Sequence, residues 1–341
     1  MLLRDWRSVY RHAGGRRAAL RCLHGTWRIQ RGKVALAGPA EPLVDCVTFS
    51  VIPIMTALWS RFIRPAIPAE SLRVLAGDCS GTLDQYLPPA HQVQATPLLN
   101  YHHGKKLDLY VYKLCRAEYV VVTDDDIFWL NTQPWQWAIQ TLESDPRLAV
   151  VSLLPKKYVT KLLDGKVPLP MGSCFVLRRD LWLREQLSFQ LVHPPPEEGH
   201  GWFYDTGEYA QVQLLRRGYK LSIAPEEIQD QFVAFEGMST WTLKIRATAG
   251  DILDNLRVDP SIRPEKVLRT IYASRGLAAL AGRFLPPTPE LLFAPSAALE
   301  RAEAACRSFV AEDRARQIQA AIDSQIGALE QRLRALQDSG P

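Results

Sequence analysis

A chain of 341 residues that is 47% hydrophobic is long enough for one large core or two smaller ones. Its formal charge of +5 is too modest to argue for nucleic acid, and its aromatic residues are not interleaved with basic ones. The six cysteines, at 22, 46, 79, 115, 174 and 306, include no CxxC pair, so they suggest neither a zinc site nor a disulfide framework, and reduced thiols are expected.

The first 33 positions carry Arg4, Arg7, Arg11, Arg16, Arg17, Arg21, Arg28, Arg31 and Lys33 against one acid, Asp5. This basic leader, residues 1–42, reads either as a solvated helix or as a surface drawn to anionic lipid or an acidic substrate. Its arginines leave no apolar core for a secretory signal. The longest apolar stretch, Cys46 to Trp59, contains Pro53 and is too short to span a bilayer. A cytoplasmic protein is expected, with peripheral contact at the inner face of the membrane left open.

From residue 43 the pattern alternates. Residues 44–52 read as a strand, 54–63 as a helix, 71–81 and 91–99 as strands and 105–117 as a helix. "YVVVTDDD" (119–126) is the next strand, followed by a helix at 132–142 with Pro in its first turn and a strand at 147–155. Residues 171–182 are a short strand entering a helix, and 193–202 a Pro- and Gly-rich loop with the character of a mobile lid. Residues 205–218 are a helix closed by Gly218, and 219–225 a strand. This alternation predicts an α/β domain over 43–247 with a mostly parallel sheet flanked by helices. From 248 to 341 the pattern is helical, broken by "PPTP" at 286–289. Ile322, Ile326, Leu329, Leu333 and Leu336 form a heptad-like stripe that serves either packing within the domain or an oligomer.

The acids Asp124, Asp125 and Asp126 interrupt an apolar run, Val120–Thr123 before and Ile127–Leu130 after. Two unit charges about 4 Å apart at an effective dielectric near 20 interact by roughly 4 kcal/mol, so the cluster must be solvated, protonated or bound to a cation. In an extended segment Asp124 and Asp126 share one face. Ligands in open α/β sheets bind beyond the carboxyl ends of the strands, and carboxylates with room for water suit Mg²⁺ or Mn²⁺. Ser50 and Asp78 stand at the ends of the first two strands. Lys105 and Lys106 open a helix where an amine and the helix N-terminus meet a phosphate; His102 and His103 read as solvated. Asp205 and Glu208, three apart, are candidates for a general base, or for a capping box.

The ordered series "TFSVI", "AGDCSG", "KKLDLYVYKLCRAEY", "VVVTDDDIF", "MGSCFVLRRDLW" and "YDTGEYAQVQLLRRGYKL" resembles the nucleotide-sugar-dependent glycosyltransferases of the GT-A fold over roughly residues 44–245. The resemblance implies metal-dependent transfer of a sugar, as in hexosyltransferases, from a nucleotide-diphosphate donor to a glycan or other hydroxyl acceptor. It implies Mn²⁺ or Mg²⁺ on Asp124 and Asp126, and donor contacts from Ser50, Asp78, Lys105, Asp124 and Asp125. Gly172, Ser173 and Trp202, with Tyr204 nearby, would line the acceptor side. Asp205 or Glu208 would be the base, inversion being weakly favoured, although the family usually has two adjacent acids there. The late metal-binding histidine of the family has no counterpart in "FEGMSTW" (235–241), where Glu236 is the available oxygen ligand. Two other readings stay open: an inactive scaffold on the same fold, and a sugar nucleotidyltransferase. The second normally needs a Gly-rich, Arg-containing loop after the first strand, and "FSVIPIMTALW" lacks one.

Overall fold

The computed structural model describes residues 16–36, 41–87, 92–95, 103–155, 169–193, 204–235, 237–252, 263–286 and 294–338. In chain order the elements are α1 (Arg16–Gln30), β1 (Val44–Ser50), α2 (Pro53–Ala66), β2 (Leu72–Asp78), β3 (Gln92–Ala95), α3 (His103–Lys113), β4 (Tyr119–Thr123), β5 (Ile127–Trp129), α4 (Gln133–Ser144) and β6 (Leu148–Leu154). There follow β7 (Cys174–Arg178), α5 (Arg179–Arg184), α6 (Glu208–Arg216), β8 (Lys220–Ile223), α7 (Glu226–Gln229), β9 (Phe232–Ala234), α8 (Met238–Ala247), α9 (Pro264–Phe284), α10 (Ser296–Arg307) and α11 (Glu312–Asp338). They form two compact units, the first of residues 1–51, 64–125 and 131–232, the second of 52–63, 126–130 and 233–341.

The first unit is built on a seven-stranded sheet of order β3-β2-β1-β4-β7-β6-β8. β1 pairs in parallel with both β2 and β4, β2 with β3, and β6 with β8; β7 alone runs antiparallel, between β4 and β6. Every residue of β1, β2 and β4 is buried, as expected of strands covered on both faces, and in β4 this shows as the uninterrupted run "YVVV". The mostly parallel sheet flanked by helices, with helices following it in the chain, is the α/β architecture that the sequence predicts. The chain steps outward from β1 to β2 to β3, then returns to β4 on the other side of β1. The carboxyl ends of β1 and β4 therefore flank a topological switch point, where open α/β sheets form their ligand crevice.

The opposite end of the sheet is fastened by a buried ion pair. The Asp45 carboxylate on β1 accepts bonds from Nε and Nη2 of Arg73 on β2 at 2.6 and 3.0 Å, and from the amides of Arg116 and Ala117, before β4, at 2.6 and 2.8 Å. Asp45 is wholly buried and Arg73 nearly so. Removing two charges from water costs several kcal/mol per ion, and only full hydrogen bonding of this kind offsets it.

In the second unit the ring of Phe128 in β5 packs edge-on against Phe62 of α2 at 5.2 Å and Phe235 at 6.0 Å. The heptad-like stripe is used inside this unit: Ile322, Leu329 and Leu333 of α11 are buried. Ile326 lies over Gly276 of α9, where an added Cβ would come within 2.5 Å of its Cγ1. None of the six cysteines, all buried, is disulfide-bonded. Among the described residues no helix is long and apolar enough to cross a membrane.

Replacing Arg73 by Met strands the Asp45 charge. The expected loss is about 3–5 kcal/mol, seen as a lowered urea midpoint. A shift no larger than that of the exposed-site control Arg147→Met would refute the role assigned to the pair.

Candidate active site

The site is assembled from the carboxyl ends of β1, β2 and β4. Ser50 ends β1, and its carbonyl accepts the Cys79 amide at 2.9 Å, joining β1 to the loop after β2. In that loop the Asp78 carboxylate is heavily engaged. Its Oδ1 accepts the Ser80 amide (2.9 Å), the Ser80 hydroxyl (2.7 Å) and the Gly81 amide (2.7 Å), while Oδ2 accepts the Leu83 amide (2.9 Å). Asp78 thus folds the 79–83 turn first, and any contact to a nucleotide falls to the remaining lone pair of Oδ2. Next to it, Gly77 is a glycine for want of space: a Cβ there would meet the Phe49 ring at 2.3 Å. That ring is edge-on to Tyr110 at 4.9 Å and to His103 at 5.6 Å.

Lys106, fully buried, completes this cluster. Its Nζ lies 4.5 Å from the Phe49 ring centroid and donates to the Cys79 Sγ at 3.6 Å. Lys105, one residue earlier, instead lines a shallow hollow of about 400 Å³ with Asp108, Tyr112 and Gln190. The signal that separates the two lysines was in the sequence: Lys106 and Tyr110 are four apart, so they share the inner face of α3.

The acidic triplet is a turn, not the extended end of a strand: β4 stops at Thr123 and β5 starts at Ile127. Aspartate favours turns over strands, and this local chemistry overrides the apolar run around it. Asp124 therefore does not share a strand face with Asp126. The Asp124 amide donates to the Ser173 carbonyl at 3.0 Å. The residue keeps part of its surface exposed, but its carboxyl is enclosed, and desolvation pushes it up to about 6, with the charge of Lys106 pulling the other way. Asp125 is buried. Asp126 belongs to the second unit, where its Oδ2 accepts the Met238 amide at 3.3 Å at the start of α8 and its carbonyl accepts the Phe235 amide at 3.0 Å.

The two downstream segments meet. The Met171 amide, next to Gly172 and Ser173, donates to Oε1 of the buried Gln211 at 2.9 Å, and Gln211 Nε2 donates to the Gly207 carbonyl at 3.3 Å. Gly172 and Ser173 are thereby tied both to Asp124 and to the turn that carries Asp205 and Glu208. That turn enters α6 through Gly207, which takes the N-cap place with φ of 73°. The Asp205 amide donates to Glu208 Oε2 at 2.8 Å and Asp205 Oδ1 accepts the Thr206 amide at 2.7 Å; with Gly207 as N-cap and Glu208 as the first helical residue, these are turn bonds and not the expected capping box. Tyr204 is a core residue, packed with Leu169 and Val212. Trp202, Glu236, His102 and most of the expected lid lie outside the described residues.

Among the described residues no group of three or more His, Cys, Asp or Glu is placed to hold a metal ion. No protein-family model matches the sequence. No curated protein matches it either. Solved structures do. The mannosyltransferase PcManGT from Pyrobaculum calidifontis, in complex with GDP-Man and Mn²⁺, is similar over 96% of this chain and 97% of its own, at 14% identity and a TM-score of 0.38. Glucosyl-3-phosphoglycerate synthase from Mycobacterium tuberculosis, in complex with Mn²⁺, UDP-glucose and phosphoglyceric acid, is similar over 58% and 72%, at 14% identity and 0.36. CMP:2-keto-3-deoxy-manno-octonic acid synthetase with CTP is similar over 54% and 89%, at 13% identity and 0.35. At this level the likenesses assign no activity to this chain.

The raised Asp124 carboxyl has a signature in stability. Its native value near 6 lies above the unfolded value near 3.9, so the native state holds more protons between them. The contribution of Asp124 is then most favourable below about pH 4 and is lost as pH rises towards 6. With divalent ions chelated, Asp124→Asn is expected to raise the melting temperature at about pH 8, by roughly 2–4 °C for each kcal/mol recovered, and to leave it unchanged near pH 4. A fall at both pH values would refute this.

Proposed function

We propose that the protein is a metal-dependent glycosyltransferase that moves a sugar from a nucleotide-diphosphate donor to a hydroxyl acceptor. The observation that carries the proposal is the desolvated Asp124 carboxyl beside the switch point of β1 and β4, with the buried ammonium of Lys106 among its neighbours. An enclosed carboxyl of this kind gains most when a cation arrives. Mn²⁺ or Mg²⁺ usually takes few protein ligands, and the acidic triplet is the proposed donor set, Asp124 and Asp126 foremost. Such an ion supplies positive charge to the departing diphosphate.

The chain's own groups do the rest. Ser50, Asp125 and the loop built by Asp78 form the donor side, with Lys106 rather than Lys105 as the cation within the fold. Gly172 and Ser173 present the acceptor side. Asp205 or Glu208 takes the acceptor proton after leaving its bond to the local backbone, the arrangement that inversion uses. A nucleotidyltransferase is disfavoured because only Val51 and Ile52 separate β1 from α2, too few residues for a phosphate-binding loop.

A screen of nucleotide sugars with Mn²⁺, following released nucleoside diphosphate, tests this. One donor is expected to turn over, with Asp124→Ala lowering kcat by about a hundredfold or more. Asp205→Asn combined with Glu208→Gln is expected to lower it by about 10²–10⁴. Turnover that survives Asp124→Ala sinks the metal assignment. No turnover, and no Mn²⁺-dependent thermal stabilisation by any nucleoside diphosphate, would leave a scaffold instead.

A further inference from the structure

We propose that the outer face of α1 is a docking surface for an anionic lipid bilayer. This does not rest on the proposed activity. Helix α1 is held on its inner side: Cys22, Gly25 and Ile29 are buried, the helix packs against β3 and α3, and the Cys22 thiol donates to the Asp78 carbonyl at 3.4 Å. Its opposite side carries an apolar stripe among polar and basic residues. Leu20 and Trp27, two turns apart on one face, are 49% and 44% exposed, with half-buried Leu23 at the margin.

The apolar stripe has a basic surround. The helix ends in a Schellman motif: Gly32 adopts φ of 64°, the Lys33 amide donates to the Arg28 carbonyl at 2.9 Å, and the Gly32 amide donates to the Ile29 carbonyl at 3.1 Å. The motif folds Lys33 back until its Nζ lies 5.2 Å from the Trp27 ring centroid. Arg28 locks the turn by donating from Nε and Nη2 to the Lys33 carbonyl at 3.2 and 3.1 Å. The His24 ring stacks on Trp27 at 5.9 Å, and Arg31 is exposed beside it. Residues 16–33 contain no acid, and Arg21 is excluded from the surface charge because it pairs with Asp84.

A tryptophan with leucines on a solvent face, ringed by arginine and lysine, matches the boundary between anionic headgroups and acyl chains. A nucleic acid would engage the charges and leave Leu20 and Leu23 unused. The contact is peripheral, since no described helix spans a membrane.

The full chain is to be sedimented with vesicles of phosphatidylcholine alone and of phosphatidylcholine mixed with phosphatidylglycerol. Binding is expected to the mixed vesicles only, and to be lost at about 1 M salt, where the screening length falls to about 3 Å. Leu20→Ser with Trp27→Ser, and separately Arg31→Glu with Lys33→Glu, are each expected to weaken binding at least tenfold or so with melting temperature unchanged. As a measurement independent of variant folding, brominated acyl chains should quench the wild-type tryptophan emission, and quench Trp27→Phe less. Absence of sedimentation with the mixed vesicles overturns the proposal. So does undiminished binding of the serine variant, which would leave only a basic patch suited to any polyanion.

Discussion

A carboxylate taken out of water must be given donors or a cation, and this requirement organises the first unit of the protein. Asp45 is answered by a two-pronged guanidinium and two amides, and in being answered it binds β1, β2 and the approach to β4 at one end of the sheet. Asp78 is answered by four donors from the turn that follows it, which shapes the other end. Asp124 is treated differently: what opposes its desolvation is the charge of Lys106, and its carboxyl is left near 6. Two of these acids build the scaffold; the third keeps a desolvated carboxyl, which is the feature that the proposed function rests on.

The sheet topology puts that third acid where it matters. Because the chain winds outward to β3 and then returns to β4, the carboxyl ends of β1 and β4 flank a switch point, and Asp124 follows β4 there. The antiparallel β7 beside β4 brings Ser173 to the Asp124 amide, and Gln211 joins the same strand approach to the Gly207 turn. Fold and candidate site are thus one arrangement: the pairing order brings Ser50, Asp78 and Asp124 to one end of the sheet, and the reversed strand brings Ser173 to them.

Much of this was legible in the sequence, for identifiable reasons. The buried parallel strands announced themselves because burial on both faces leaves uninterrupted runs such as "YVVV". The helix at 133–144 was marked by its early proline, and the helical C-terminal part by its apolar spacing. What was less legible depended on a residue or two of phase. The acidic triplet follows a strand and its pattern continues that strand, whereas aspartates fold a turn of their own. Lys105 and Lys106 are equivalent in composition and differ only by 100° around α3, yet one lines an outer hollow and the other is sealed under Phe49. Asp205 resembled a helix cap, but the left-handed backbone needed at that entry selects Gly207, and Asp205 moves two places outside. Which carboxylates are consumed by local backbone is a three-dimensional fact that spacing alone does not carry.

The turn that Asp78 builds has a kinetic meaning. Four bonds from one carboxylate fix the shape of residues 80–83 from within the chain. A ligand of the proposed kind would meet a preorganised wall and would not have to immobilise it. On the proposed function, association at this side would require no ordering of that segment, and discrimination among ligands would come from a rigid outline rather than from a loop that moulds itself to whatever enters.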